Sequence, residues 1–252
     1  MRKLRDVFYV SANFNEKFYI YYGMEFKEFV KYNSVKIENI LITDGNYIAN
    51  NFNGDWFLET ANGYENIMEL CKQDIYGLGN FHWIDYDHET ALNNCSPQEK
   101  AEVLYLSHFG KPLKTAFFDK IDNKFFYLAH DDGWFCKLFC KEMLVFGDII
   151  ENKIIDSFAI ENKKGKIYPM IEAIKNQIFN LTKEGLLIDF SNIYTDQECI
   201  CVNFYTIGHY ENMDEMYNNL ERNKKRASIK GTIEYENKTW QINFWNKAYE
   251  RK

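Results

Sequence analysis

Proline, glycine and cysteine are all scarce in this sequence, and it has no long apolar run. Three prolines and 13 glycines among 252 residues exclude a collagen-like or linker-dominated chain. No stretch of about 18 uncharged apolar residues occurs, so the sequence predicts no bilayer-spanning helix. With 46% apolar and 27% charged side chains, the chain has enough material for a buried core, which excludes intrinsic disorder.

The six cysteines are too sparse for the disulfide framework of a small secreted protein, so we expect reduced thiols. Residues 1–5 are basic like the front of a signal peptide, but Asp6 and the polar residues after Ala12 interrupt any apolar stretch of the required length. We therefore expect a cytoplasmic protein. Abundant Lys, Asn, Ile, Phe and Tyr are typical of an AT-rich genome and suggest a bacterial source.

Negative charge is concentrated in one quarter of the chain. Residues 44–102 contain eleven acids and two bases, a formal charge of −9, while the rest contains 26 acids and 28 bases. The net charge of −7 therefore comes entirely from this quarter. A field of one sign attracts oppositely charged partners and repels nucleic acid and anionic lipid. The sequence thus predicts neither a nucleic-acid nor a membrane partner.

Short β-branched and aromatic segments separated by turn residues predict several hairpins. Helical spacing of apolar residues predicts about four to five helices, and the sequence around Ser96 adds a capping box with proline at the first helical position. The predicted strands are 6–12, 17–22, 37–42, 115–119, 124–129, 134–139, 186–190, 200–207, 228–235 and 238–245. The predicted helices are 24–32, 64–72, 96–110, 170–181 and 212–223.

Hairpin connections rather than crossovers predict an α+β fold, in which mostly antiparallel sheets have helices packed alongside. The chain is expected to be a single α+β domain or two tightly packed halves. The polar connection 161–166 is the candidate boundary between such halves.

Four histidines lie within 49 residues, and imidazoles together with carboxylates form metal sites and acid/base pairs. A metal-dependent hydrolase is therefore one alternative. Its metal ligands would be His82, Asp85, His88 and His130, and its catalytic residues His82, His88, His130 and Asp131. Against it, a strand would point His82 and Asp85 to opposite faces, and Asp131 belongs to an Asp-Asp-Gly sequence that is typical of a tight turn.

The charge distribution favours a different hypothesis. In it, the chain is a non-enzymatic binding protein whose acidic surface captures a basic protein partner. Aromatic residues in the acidic quarter could anchor such an interface. The residues assigned to partner binding are Asp74, Trp83, Asp85, Asp87 and Glu89. In its acidic character the chain resembles small bacterial immunity proteins, which neutralise cationic nuclease toxins by occupying their active sites.

No complete dinucleotide, phosphate-loop or nucleophile-elbow motif occurs, so the sequence implies no cofactor. A second alternative is a small-ligand binding module with an aromatic-lined pocket between sheet and helices.

Overall fold

The structure is a computed structural model that describes residues 7–45, 49, 51–73, 79–130, 135–162, 166–196 and 199–245. Within these ranges the chain forms twelve β-strands and eight α-helices, and the described strand pairs are antiparallel. The predicted α+β class with antiparallel strands is confirmed. The helices outnumber the four to five predicted. None of the described helices is long and apolar enough to cross a membrane.

The elements follow one another in a strand-rich order. The strands are β1 (Val7–Asn13), β2 (Phe18–Tyr22), β3 (Asn39–Asp44), β4 (Asn51–Asn53), β5 (Leu58–Asn62), β6 (Phe81–Asp85), β7 (Phe125–His130), β8 (Phe135–Cys140), β9 (Leu186–Thr195), β10 (Cys199–Thr206), β11 (Lys230–Glu236) and β12 (Thr239–Phe244). The helices are α1 (Phe26–Tyr32), α2 (Tyr64–Leu70), α3 (Glu89–Asn93), α4 (Pro97–Phe109), α5 (Val145–Glu161), α6 (Glu172–Leu181), α7 (Met213–Asn218) and α8 (Leu220–Arg226).

The chain divides into two compact units. The terminal unit contains Met1–Asn13, Ile20–Gly23 and Phe146–Lys252, and the central unit contains Phe14–Tyr19 and Met24–Val145. The predicted boundary at 161–166 stays a prediction, and residues 163–165 lie outside the described part of the chain.

Strand order differs from chain order in both units. In the terminal unit the order is β12-β11-β10-β9-β1, so the first strand pairs with β9, with Val7 opposite Asp189. In the central unit the order is β8-β7-β6-β3-β5-β4. There Trp83 of β6 lies opposite Tyr127 of β7 and Ile42 of β3.

The two faces of the central strands bury different side chains. One face packs aromatic rings against α1. The ring centroids of Phe29 and Trp83 are 6.1 Å apart, and Trp83 stacks on Tyr127 with centroids 5.0 Å apart. The opposite face packs Ile84 and Leu128 into a core with residues of α3 and α4. Because side chains alternate along a strand, His82 and His130 belong to this second face.

Helix α4 is formed as its sequence predicts. The side chain of Ser96 accepts a hydrogen bond from the Glu99 N–H, and the Glu99 carboxylate accepts one from the Ser96 N–H, which completes the capping box. Gly110 ends the helix in the left-handed conformation, with φ 63°.

The predicted hairpin of 115–119 with 124–129 is wrong. Residues 115–119 form no strand, because the buried side chain of Asn123 takes over their backbone hydrogen bonds. Its Oδ1 accepts from the Phe118 N–H over 2.8 Å, and its Nδ2 donates to the carbonyls of Ala116 and Phe125. The 124–129 segment instead forms β7, which pairs with β8 and β6.

Candidate functional site

A histidine pair lies on the α4 side of the central unit, with His82 buried and His130 partly exposed. His82 comes from β6, His130 ends β7, Asp44 ends β3 and Ser107 belongs to α4. These strands are neighbours in the order β7-β6-β3, so residues at their adjacent ends on one face are brought together although they are far apart in sequence. We call this group the histidine cluster; it also includes Asn80.

Polar contacts connect the members of the histidine cluster. Nδ1 of His82 lies 3.3 Å from Ser107 Oγ and 3.6 Å from Asp44 Oδ2. The rings of His82 and His130 meet edge to face, with centroids 4.7 Å apart. Nδ2 of Asn80 donates to Asp44 Oδ2 over 3.4 Å, and its Oδ1 lies 3.3 Å from His130 Nδ1. The cluster therefore extends from buried His82 to exposed Asp44.

Burial controls the charge of His82. Its side chain is almost completely enclosed, and desolvation together with the neighbouring His130 lowers its pKa to about 4, while Asp44 acts in the opposite direction. The imidazole is therefore neutral at neutral pH. It retains a hydrogen-bonding role there and no cationic role.

The group of Ser107, His82 and Asp44 contains the residue types of a catalytic triad but not its geometry. In a triad, the serine and the carboxylate contact different ring nitrogens, so that the imidazole can take the serine proton. Here both contact Nδ1 of His82, and Nε2 is buried without a hydrogen-bond partner among the described residues. Ser107 also bonds Thr43 Oγ1 at 2.8 Å. This arrangement does not activate a serine nucleophile.

The predicted metal ligands do not come together. Asp85 lies on the opposite face from His82, as strand alternation predicts, and His88 is exposed beside Asp87 at 3.3 Å. Only His82 and His130 of the predicted set are in contact. Across the described residues, no group of three or more His, Cys, Asp or Glu side chains is arranged to hold a metal ion. The predicted base Asp131 lies outside those residues.

Asp85 has a structural role at the end of β6. Its carboxylate accepts hydrogen bonds from the backbone N–H of Lys124 at 3.0 and 3.1 Å and of Phe125 at 2.6 Å. Burial raises its pKa to about 7, and these N–H donors act in the opposite direction. The carboxylate thus fixes the point at which β7 begins.

Two of the residues assigned to partner binding are inaccessible, which corrects that part of the prediction. Trp83 is fully buried in the aromatic core under α1, and Asp85 is buried as described above. Asp87 and Glu89 are exposed and remain available. Asp74 lies outside the described residues.

Asn39 brings two acidic segments next to each other. Its Nδ2 donates to the carbonyls of Tyr86 and Asp87, and its Oδ1 accepts from the N–H of Gly63, which precedes α2. The backbone of 86–87 is thereby held beside the first turn of α2. Exposed side chains flank this junction, and we call them the Asn39 surface: Tyr64, Glu65, Asp87 and Glu89.

Other acids of the 44–102 quarter are used within the chain. Glu69 pairs with Lys72, Glu99 caps α4, and Glu102 accepts from Gln98. Glu59 accepts from the Ala49 N–H at 2.9 Å. These carboxylates keep their negative charge, but their oxygens already accept hydrogen bonds within the chain.

Sequence reasoning missed Asn39, Ser107 and Asn80. Asn39 stands at the start of a strand, where nothing in the local pattern marks it. Ser107 and Asn80 become partners of the histidines only when β6, β3 and α4 are placed next to one another. Strand alternation alone, once β6 and β7 were known to be neighbours, would have found the His82–His130 pair.

Comparison with known proteins adds no family. No protein-family model matches the chain, and neither a curated protein nor a solved structure matches it.

Proposed function

We propose that this chain is a non-enzymatic binding protein that captures a basic protein partner through the Asn39 surface. The observation that carries the proposal is the Asn39 junction, which holds the backbone of exposed Asp87 beside the start of α2, where Tyr64 and Glu65 are exposed. Interfaces of high affinity commonly combine a fixed aromatic anchor with charged residues at the rim.

The physical role of these acids is to accelerate encounter. Exposed carboxylates of one sign raise the association rate with a cationic partner, and salt weakens this attraction. Lys36 pairs with Glu38 at 2.8 Å beside Asn39, which limits the negative charge on that side. By contrast, the metal ligands predicted for the hydrolase alternative are not brought together among the described residues.

Affinity capture from the native host, followed by binding kinetics with the purified captured protein, tests the proposal. We expect a basic partner and an association rate at least about tenfold lower for Asp87→Lys/Glu89→Lys, with a flatter dependence on salt. Glu184→Lys/Glu211→Lys is the matched control, because it changes the same charge at exposed positions of the terminal unit.

Two outcomes would contradict the proposal. One is a captured partner that is neutral or acidic. The other is an equal loss of rate in both double variants, since that would show dependence on net charge alone.

A further inference from the structure

Helix α4 carries apolar side chains on its outer face as well as its inner one. Val103 and Leu106 are buried in the core. Leu104, Tyr105 and Phe109 point outward with exposed fractions of 41%, 37% and 58%, and Leu113 beyond the helix end is 58% exposed. A surface helix normally has a polar outer face, and one that is apolar on both faces is usually covered on both.

The outer aromatic residues are already in contact with each other. Tyr105 and Phe109 are one turn apart, and their ring centroids are separated by 4.5 Å. The ring of His108 meets Phe109 edge to face at 4.6 Å. These contacts restrict the rings before any partner binds, which lowers the entropy cost of association.

Charge along α4 is opposite at its two ends. Glu99 and Glu102 lie in the first half of the helix, and the exposed Lys111 and Lys114 follow its end. Lys100 also lies in the first half, but its ammonium group is held within the unit by the Asp55 carbonyl and the Trp56 ring. Two copies of this helix side by side in the same direction would place like charges together. Two copies in opposite directions would place the acids of each beside the lysines of the other.

We propose that α4 is a self-association surface, on which a second copy of this chain packs its own α4 antiparallel about a twofold axis at Tyr105. Residues equally far before and after Tyr105 then face each other across the axis. The small Ala101 receives the large Phe109 of the other copy, and Glu102 faces His108. The same surface is used by both copies, as a twofold dimer requires.

A basic partner fits this face less well than a second copy does. Lys111 and Lys114 lie next to the apolar side chains and would repel such a partner. The self-association surface is also made of different residues from the Asn39 surface, so the two proposals stand or fall separately.

One helix and the loop that follows it form a small interface, so the dimer is expected to dissociate at roughly micromolar concentrations. Sedimentation velocity across about 1 to 500 µM should show a monomer–dimer equilibrium in that range. A wild-type chain that remains monomeric at the highest concentration overturns the proposal.

Substitutions of exposed side chains on the outer face of α4 test where the interface lies. Tyr105→Ser/Phe109→Ser should raise the dimer dissociation constant at least about tenfold, because it removes the central apolar contacts. Leu144→Ser/Ile171→Ser is the matched control, with two apolar side chains that are 72% and 63% exposed elsewhere. Equal weakening by both pairs, or by neither, overturns the assignment to α4. If the first pair disturbs the circular dichroism spectrum, Phe109→Ala alone provides the same comparison.

Ala101→Trp separates specific packing from general adhesion. It adds apolar surface, so non-specific association would become stronger. In the antiparallel register it fills the space that Phe109 of the other copy needs, and the dissociation constant should rise at least about tenfold. A tighter dimer in this variant overturns the proposed register.

Discussion

At the scale of single residues, His82 and Asp85 show how one strand separates two polar groups into different roles. They lie three positions apart on β6 and face opposite sides. His82 joins a cluster that reaches solvent through Asp44, whereas Asp85 is saturated by backbone N–H groups. The residue types and their short spacing suggested a shared metal site, but the alternation of side chains along the strand places the two residues on opposite faces.

His82 should make folding stability depend on pH. Its pKa of about 4 in the folded chain lies below its ordinary value near 6.5, so the unfolded chain binds the proton first as the pH falls. The contribution of His82 to stability is complete above about pH 6.5 and is lost as the pH falls from there to about 4, and the loss reaches about 3 kcal/mol.

Urea unfolding of the wild type and His82→Gln at about pH 7 and about pH 4.5 measures this contribution. The difference in the free energy of unfolding between the wild type and His82→Gln should change between these two pH values. The exposed His88→Gln is the matched control, since it makes the same substitution at a side chain that is not buried, and it should change the free energy of unfolding by less than about 0.5 kcal/mol. A difference for His82→Gln that is the same at both pH values would contradict the assignment.

Asp85→Ala should destabilise the fold by about 1–3 kcal/mol, because it leaves the backbone N–H groups of Lys124 and Phe125 without their acceptor. Asp87→Ala changes an exposed neighbour and should cost less than about 0.5 kcal/mol. Chemical denaturation at neutral pH compares them. Equal effects of the two substitutions would show that the contacts of Asp85 are not stabilising.

At the scale of elements, the turn between β4 and β5 holds an aromatic residue in an unfavourable conformation. Phe57 has φ 55° and is 78% exposed. The residues before it are anchored, because the Trp56 indole N–H donates to the Leu92 carbonyl over 3.0 Å and Lys100 Nζ donates to the Asp55 carbonyl over 2.9 Å. The anchoring fixes Phe57 in the left-handed region.

Phe57→Gly should therefore stabilise the protein by about 1 kcal/mol, because glycine adopts this conformation without the clash of a Cβ and little apolar burial is lost. Phe52→Gly is the control. Phe52 is also largely exposed, but it lies within β4, where glycine costs about 0.5–1 kcal/mol. Thermal unfolding followed by circular dichroism gives both changes. A lower Tm for Phe57→Gly would contradict the strain argument.

Elements with local signals could be predicted from the sequence, and those that depend on distant partners could not. Helix α4 is encoded by Ser96, Pro97 and Glu99 within four positions, and the β1–β2 and β11–β12 hairpins connect neighbouring segments. The 115–119 segment has a strand-like composition, but Asn123 supplies its hydrogen bonds. The Asn39 surface and the His82–His130 contact depend on strand order, which local patterns do not contain.

At the scale of the whole molecule, the thiols are held in an unreactive state. All six cysteines are free, and burial raises the pKa of Cys71 and Cys140 to about 12 and that of Cys199 to about 11. The nearby Cys201 and the acids of β11 add to the effect at Cys199. The thiolate is the reactive form, so these groups react slowly near neutral pH.

Ellman's reagent at about pH 8 should label the native thiols more than about tenfold more slowly than those of the urea-unfolded chain, in which all six cysteines react. Mass spectrometry after partial labelling identifies the order of reaction. The partly exposed Cys199 is the most demanding case. If it is labelled as fast in the native protein as in the unfolded one, its environment is not the one described.

The pairing of β1 with β9 sets the order in which the terminal unit can be completed during synthesis. The ribosome releases Val7–Asn13 before its partner strand, which lies about 180 residues later, a delay on the order of 10–40 s at ordinary translation rates. The side chains of Val7–Val10 are apolar and buried in the finished protein. Throughout that delay they have no β9 to pair with, so an apolar strand edge stays open to contact with other nascent chains on the same messenger.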